Sequence, residues 1–285
     1  MKVKKAVITA AGPTQRKLPI QTLRDQHGVE RSVLELLIDE IVHAGIDDVY
    51  VVVYPGDENT YKQVLDEHTD RVEFIHQSKP LGYGHALYCA SSFTGKDPFL
   101  HLVGDHLYVN RTDKNIARHL VEIAEKNSCS VSAVQSTREG LISQYGTISG
   151  NPKQGSNDLY LIDSVIEKPT PTLAEQKLMV PGLRAGHYLC FFGMHVLTAT
   201  VMDILKNQIK ENKGKMTGLS EALNILASKE QYLALEKTDM RFNMGTRYGL
   251  MKAQLAIALS GQDRDRVLSE LLEFFVMKDF MPDKS

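Results

Sequence analysis

The chain has no tryptophan, and its three cysteines, Cys89, Cys129 and Cys190, stand far apart in apolar surroundings. That spacing excludes both a disulfide framework and a zinc pattern, and leaves each thiol to be read as a small buried side chain. An excess of one charge is missing as well: 33 Lys and Arg face 35 Asp and Glu, for a formal net charge of -2. The general attraction that nucleic acids and anionic membrane surfaces exploit is therefore absent, so neither is expected as a partner, and any anion site has to be local. No apolar run approaches the roughly 20 residues that span a bilayer. The run after Met1, Lys-Val-Lys-Lys, lacks the apolar core of a signal peptide, which makes a cytoplasmic chain the expectation. Two phosphate-binding signatures are missing too, because the loop after the first apolar segment, AAGPTQRKLP, spells neither GxGxxG nor GxxxxGK.

What is present is enough apolar material, 42% of 285 residues, for one large or two modest domains. Val3 to Thr9, Asp48 to Val53, Val72 to Ile75, Phe99 to Val103 and Ser130 to Gln135 read as strands, several of them apolar on both faces, as in a buried parallel sheet. Helical patterns alternate with them. SVLELLIDEIVHAG sets Leu34, Leu37, Ile38 and Ile41 on one stripe and ends at Gly45, while GHALYCASSF and NIARHLVEIAEK repeat at helical spacing. This order predicts an α/β fold with a doubly wound, mostly parallel sheet. The loops after Thr9, Ile75 and Val103 then gather along the sheet edge where such folds bind ligands.

From about Tyr145 the rhythm changes to short strand-like pieces, GTISG, DLYLIDSVIEK and HYLCFFGMHVL, which predict an additional mixed β region. Helices are expected near Thr198 to Asn212, Leu219 to Ser228 and Arg247 to Leu259, followed by an amphipathic run from Arg264 to about Phe280. That last run offers a homo-oligomer contact, with a helix packed on its own domain as the alternative. The organisation expected is a single domain over 1-285, with a core at 1-140, a second part at 141-260 and a C-terminal helix at 261-285.

Three further segments carry chemistry. In HQSKPLGYGHALYCASSF the small residues Gly82 and Gly84 permit close approach of a ligand to backbone, and the Gln77 amide both donates and accepts, which suits a nucleobase edge. FLHLVGDHLY places Asp105 just past an apolar strand, where a carboxylate holds a divalent cation bridging phosphates or, taken alone, caps a turn. VIEKP ends a strand with Glu167, an acceptor for sugar hydroxyls, and Lys168, a point charge for phosphate. His85, His101 and His106 cluster around these loops, but their place in strand and motif argues against zinc.

In this order, AVITAAG with Arg16 and Pro19, then QSKPLGYGHALYCA, LVGDHLY, VIEKP, GMHVLT and RFNMGTRYGLMKA, the motifs resemble the sugar-phosphate nucleotidyltransferases, and among them the bacterial glucose-1-phosphate uridylyltransferases. The resemblance implies a Mg2+-dependent transfer from UTP to a sugar 1-phosphate that releases pyrophosphate. It implies that the backbone of Ala10, Ala11 and Gly12 contacts the nucleotide, that Arg16 meets its phosphates, and that Gln77 and Gly82 read uracil. Asp105 and Asn243 would hold Mg2+, Glu167 and Gly193 would meet the sugar, and Lys168 its phosphate.

This sequence departs from the family pattern in two places. The opening Gly-x-Gly-Thr-Arg becomes Gly12-Pro13-Thr14-Gln15-Arg16, and the lysine that follows in the family falls near Gln26, leaving Lys17 or Arg24 to compensate. Asn243 stands where the family presents a metal-binding Asp. Two functions therefore remain open: a working, divergent nucleotidyltransferase, or a catalytically weak or inactive nucleotide- and sugar-binding relative that regulates such an enzyme.

Overall fold

Buried strands with apolar residues on both faces need cover on both sides, and the chain alternates strand and helix to provide it. The computed structural model describes residues 1-110 and 114-276. In chain order the strands are β1 (Lys5–Thr9), β2 (Thr22–Arg24), β3 (Glu30–Ser32), β4 (Asp48–Val53), β5 (Val72–His76), β6 (Phe99–Val103), β7 (His106–Val109), β8 (Ser130–Arg138), β9 (Gly146–Pro152), β10 (Leu159–Glu167), β11 (His187–Leu197), β12 (Tyr232–Glu236) and β13 (Met240–Asn243). The helices are α1 (Val33–His43), α2 (Glu58–Lys62), α3 (Tyr83–Cys89), α4 (Ser91–Thr94), α5 (Ile116–Asn127), α6 (Pro171–Lys177), α7 (Thr200–Asn212), α8 (Leu219–Lys229), α9 (Gly249–Ser260) and α10 (Arg264–Val276).

One sheet dominates, in the order β5-β4-β1-β6-β11-β8-β12-β10-β9. The expected strands β5, β4, β1 and β6 lie side by side and parallel. Alternation along β1 shows the double winding: Ala6 and Ile8 join the core beneath α1 and α5, whereas Val7 joins the core beneath α3, α7 and α8. Local sequence fixes the helix ends. Ser32 accepts from Glu35 N–H while Glu35 accepts from Ser32 N–H, a complete capping box at α1, and Asn115 caps α5 through Arg118 N–H.

The additional β region is mixed, as the short strand-like pieces predicted. β11 runs antiparallel to β6 and β8, and β10 antiparallel to β12 and β9. A register shift between Phe191 and His195 divides β11, and its first half also pairs with β9 through Leu189 and Cys190. The break falls at Gly193, whose φ of +85° is a left-handed conformation open to glycine at little cost. β12 was not anticipated; it pairs parallel with β8 and is buried through Leu235. The short ladder β7–β13 was also unexpected and pairs His106 with Asn243. The final helix is described to Val276, so its expected continuation over 277-280 lies outside the described residues.

Candidate active site

The ends of β1, β5 and β6, the start of β9, the end of β10 and the break in β11 border one cleft of about 410 Å3. Each of the nucleotide, sugar and metal candidates named from sequence lines it: Ala10, Ala11, Gly12, Gln77, Gly82, Asp105, Glu167, Lys168, Gly193 and Asn243. Arg16 does not.

The opening loop explains why. Ala10 N–H still belongs to the sheet, donating to Val52 O, whereas the N–H groups of Ala11 and Gly12 have no acceptor among the described residues and offer two backbone donors to the cleft. Gly12 O then accepts from Gln15 and Arg16 N–H, and buried Tyr61 donates to Arg16 O at 2.7 Å, so the loop turns away. The Arg16 guanidinium pairs with Asp57 at 3.3 Å and stacks over Tyr54. The proposed substitutes for the family lysine go elsewhere too. Arg24 donates to Gly28 O, Lys17 does not line the cleft, and Gln26 packs where α9 meets α10, its carbonyl accepting from Gln262 N–H. Lys168 is the only Lys or Arg among the lining residues described.

At the end of β5, Gln77 leaves the strand with its N–H on Val53 O. Its Nε2 donates to Gly82 O at 3.1 Å and lies 3.0 Å from His85 Nδ1. Gly82, at φ +100°, has no room for a side chain: a Cβ would lie 2.6 Å from Thr217 O. His101 Nδ1 faces the Val7 carbonyl, which can only accept, so its Nε2 takes the proton of Tyr83 OH at 2.6 Å. Burial lowers the His101 pKa to about 4 and that of neighbouring His195 well below its ordinary value. These imidazoles are neutral supports rather than charges.

The ladder β7–β13 places Asn243 beside Asp105. A methyl at Gly245 would lie 3.1 Å from Asn243 Oδ1 and 3.8 Å from Asp105 Oδ2, so the two oxygens converge on one small volume. Gly245 N–H donates to Asn243 Oδ1 at 2.8 Å and fixes which end of the amide points there. Asp105 Oδ1 meets His106 Nδ1 at 2.7 Å. Burial acts to raise the Asp105 pKa, but the hydrogen bond and charge of His106 outweigh it and hold the carboxyl below its ordinary value.

Across the cleft, Glu167 Oε2 accepts from Ser220 OH at 2.5 Å, and Lys168 Nζ lies 3.7 Å from Glu167 Oε1. Gly146 makes space for this pair, since a Cβ there would crowd Phe191, Ser220 and Glu167. Lys168 has φ +46°, a conformation that a side chain with a Cβ adopts at a cost, and such outliers concentrate at binding sites. Sequence reading missed Ser220, Gly146 and the contact between His85 and Gln77; of these only His85 sat in a motif already under suspicion.

Residues 5–259 match the Nucleotidyl transferase family. The chain is 27% identical over 304 aligned residues to a UTP–glucose-1-phosphate uridylyltransferase of Bacillus subtilis, with 96% of this chain and 94% of that protein covered. It is 28% identical over 285 residues to UTP–glucose-1-phosphate uridylyltransferase 1 of Streptococcus pyogenes serotype M3, covering 90% of each. Its fold is similar to that of a UDP-glucose pyrophosphorylase complexed with UDP-glucose, with a TM-score of 0.72 at 20% identity over 89% of this chain and 98% of that one. No described helix is long and apolar enough to cross a membrane. Since the family match takes in every residue that lines the cleft, the chain belongs to the nucleotidyl transferase family.

Proposed function

We propose that this chain transfers a uridylyl group from UTP to a sugar 1-phosphate, glucose 1-phosphate first among them, releasing pyrophosphate and a UDP-sugar with Mg2+ as cofactor. The observation that carries the reading is the meeting, in one cleft, of a base-reading amide at Gln77, a paired acid and cation at Glu167 and Lys168, and converging oxygens at Asp105 and Asn243. The names of the relatives supply the uracil base and the glucose.

The donor set fits Mg2+, a hard cation that keeps several waters and is held by one or two carboxylates together with substrate phosphates. One carboxylate and one amide oxygen do not complete a shell, so the triphosphate is part of the site. Asp105 and Asn243 would hold the ion, which would offset the negative charge of the phosphates. The chain's own residues position. Ala11 and Gly12 N–H groups donate to phosphate oxygens, Glu167 accepts from sugar hydroxyls, and Lys168 brings its ammonium to the sugar phosphate. A phosphate oxygen of the sugar attacks the α-phosphorus in line and pyrophosphate departs, so no protein nucleophile is needed.

One observation favours the second reading, a weak or inactive relative: with Arg16 held on Asp57, no Lys or Arg of the opening loop reaches the cleft. Removing one preorganised charge-stabilising donor costs about 3 to 4 kcal/mol of barrier, which slows transfer and leaves binding intact. Incubation with UTP, Mg2+ and a panel of sugar 1-phosphates, followed by chromatography, separates the readings. A UDP-sugar product supports transfer; binding of UTP without any product supports the regulatory relative.

A further inference from the structure

Gln77 is 3% exposed and lines the cleft. Both of its amide hydrogens are engaged. Gly82 O is a backbone carbonyl and can only accept, so the nitrogen end of the amide must face it; the second hydrogen points to His85 Nδ1 at 3.0 Å. Oε1 has no partner among the described residues. The Gly82 carbonyl is itself fixed, because the turn is pinned to the next loop: Thr217 N–H donates to Leu81 O and Gly84 N–H to Thr217 O.

The imidazole has to suit this arrangement. For Nδ1 to accept, the ring must be neutral with its proton on Nε2. Burial lowers the His85 pKa and so favours the neutral ring. The other neighbour of Nδ1 is Cys89 Sγ at 3.8 Å, and burial raises that thiol's pKa, so it keeps its proton and is also a donor. Both groups facing Nδ1 thus offer hydrogen.

We infer that His85 is a specificity-determining positioning residue: by accepting from Gln77 Nε2 it holds the amide with only Oε1 toward the cleft, so the pocket prefers uracil or thymine to cytosine. This rests on the nucleotide reading above. The chemistry follows from the ring edges. Uracil and thymine carry hydrogen on N3 beside a carbonyl, which matches the Oε1 acceptor and the neighbouring Gly82 N–H, a donor without an acceptor among the described residues. Cytosine has a bare N3 and donates only from its exocyclic amine, so it has to turn in the cleft to reach Oε1. Without His85 the second amide hydrogen is left unpaired in a buried position and the Gly82 bond alone holds the amide, so Oε1 is aimed at the cleft less tightly and the preference weakens.

The test combines calorimetric binding of UTP and CTP in Mg2+ with the tautomer of His85 read by nitrogen-15 NMR. The wild-type chain should favour UTP and show a neutral His85 protonated at Nε2. His85→Phe, which keeps ring bulk without an acceptor, should erode the UTP-over-CTP ratio about tenfold, chiefly by weakening UTP. His85→Gln, which restores a carbonyl acceptor, should recover most of the ratio. A preference for UTP that is unchanged in His85→Phe, or a His85 ring protonated at Nδ1, overturns this inference alone. A wild-type chain that binds neither nucleotide overturns the nucleotide reading and the inference together. The NMR measurement needs no variant, so the inference stays exposed to disproof even if His85→Phe fails to fold.

Discussion

Asp105 and Asn243 are brought side by side by the β7–β13 ladder, with the Asp105 carbonyl accepting Met244 N–H at 2.9 Å. The strand that follows β6 is thereby stitched to one arriving just before α9, and the cleft acquires one charged and one neutral oxygen donor. If Mg2+ binds as proposed, the neutral partner sets how strongly it is held.

Asn243→Asp adds a second carboxylate next to the first. Without metal the like charges repel and Tm should fall; with Mg2+ and UTP the Mg2+ concentration for half-maximal nucleotide binding should drop about fivefold. Calorimetric titration of Mg2+ at fixed UTP checks this, and an unaltered Mg2+ requirement removes Asn243 from the site.

Asp105→Asn should abolish Mg2+-dependent UTP binding, and it also carries a pH signature. The folded-state pKa of Asp105 lies below its ordinary value, so its ionised form favours the fold above the unfolded-state pKa, and that contribution disappears as pH falls through the folded value. Between about pH 6 and about pH 2.5 the wild type should lose more thermal stability than Asp105→Asn. Parallel acid sensitivity in the two proteins would show that the His106 contact contributes nothing.

Lys168→Met keeps most of the apolar stem and removes the ammonium. Glucose 1-phosphate binding should weaken at least about tenfold while UTP affinity stays within about threefold. Equal losses for both ligands would assign Lys168 to the nucleotide or to the fold.

Arg16→Ala removes the Asp57 pair and the stacking on Tyr54, neither of which lies in the cleft. UTP affinity should change by less than about threefold, as expected for a half-exposed ion pair. A loss of about thirtyfold or more would show that the loop rearranges to bring the guanidinium onto the phosphates. Gln26→Lys should not raise turnover, because position 26 packs against Gly261 and lies outside the cleft lining.

The parallel half of the sheet was legible because strands buried on both faces read as nearly continuous apolar runs, as in Val49 to Val53 and in Phe99–Val103, where only His101 interrupts. β12 was not, because Tyr232–Glu236 is short and follows α8 closely enough to pass for its continuation. The cleft's lining was legible through motif order, which named residues as far apart as Gly12 and Asn243 that the fold gathers together. Side-chain direction was not. Whether Arg16 faces phosphate or Asp57 depends on a partner contributed by the start of α2, and a charge in a loop carries no record of which acid it will meet. The same holds for Gln77, whose amide reads as donor and acceptor alike until Gly82 O and His85 Nδ1 take both hydrogens.

The central claim is that this cleft joins UTP to a sugar 1-phosphate, and the most direct measurement is pyrophosphate release from UTP and glucose 1-phosphate with Mg2+. Transfer predicts pyrophosphate in a one-to-one ratio with a UDP-sugar, dependent on both substrates and lost in Asp105→Asn. UTP bound with ordinary affinity but no pyrophosphate formed, with any of several sugar 1-phosphates supplied, would contradict it.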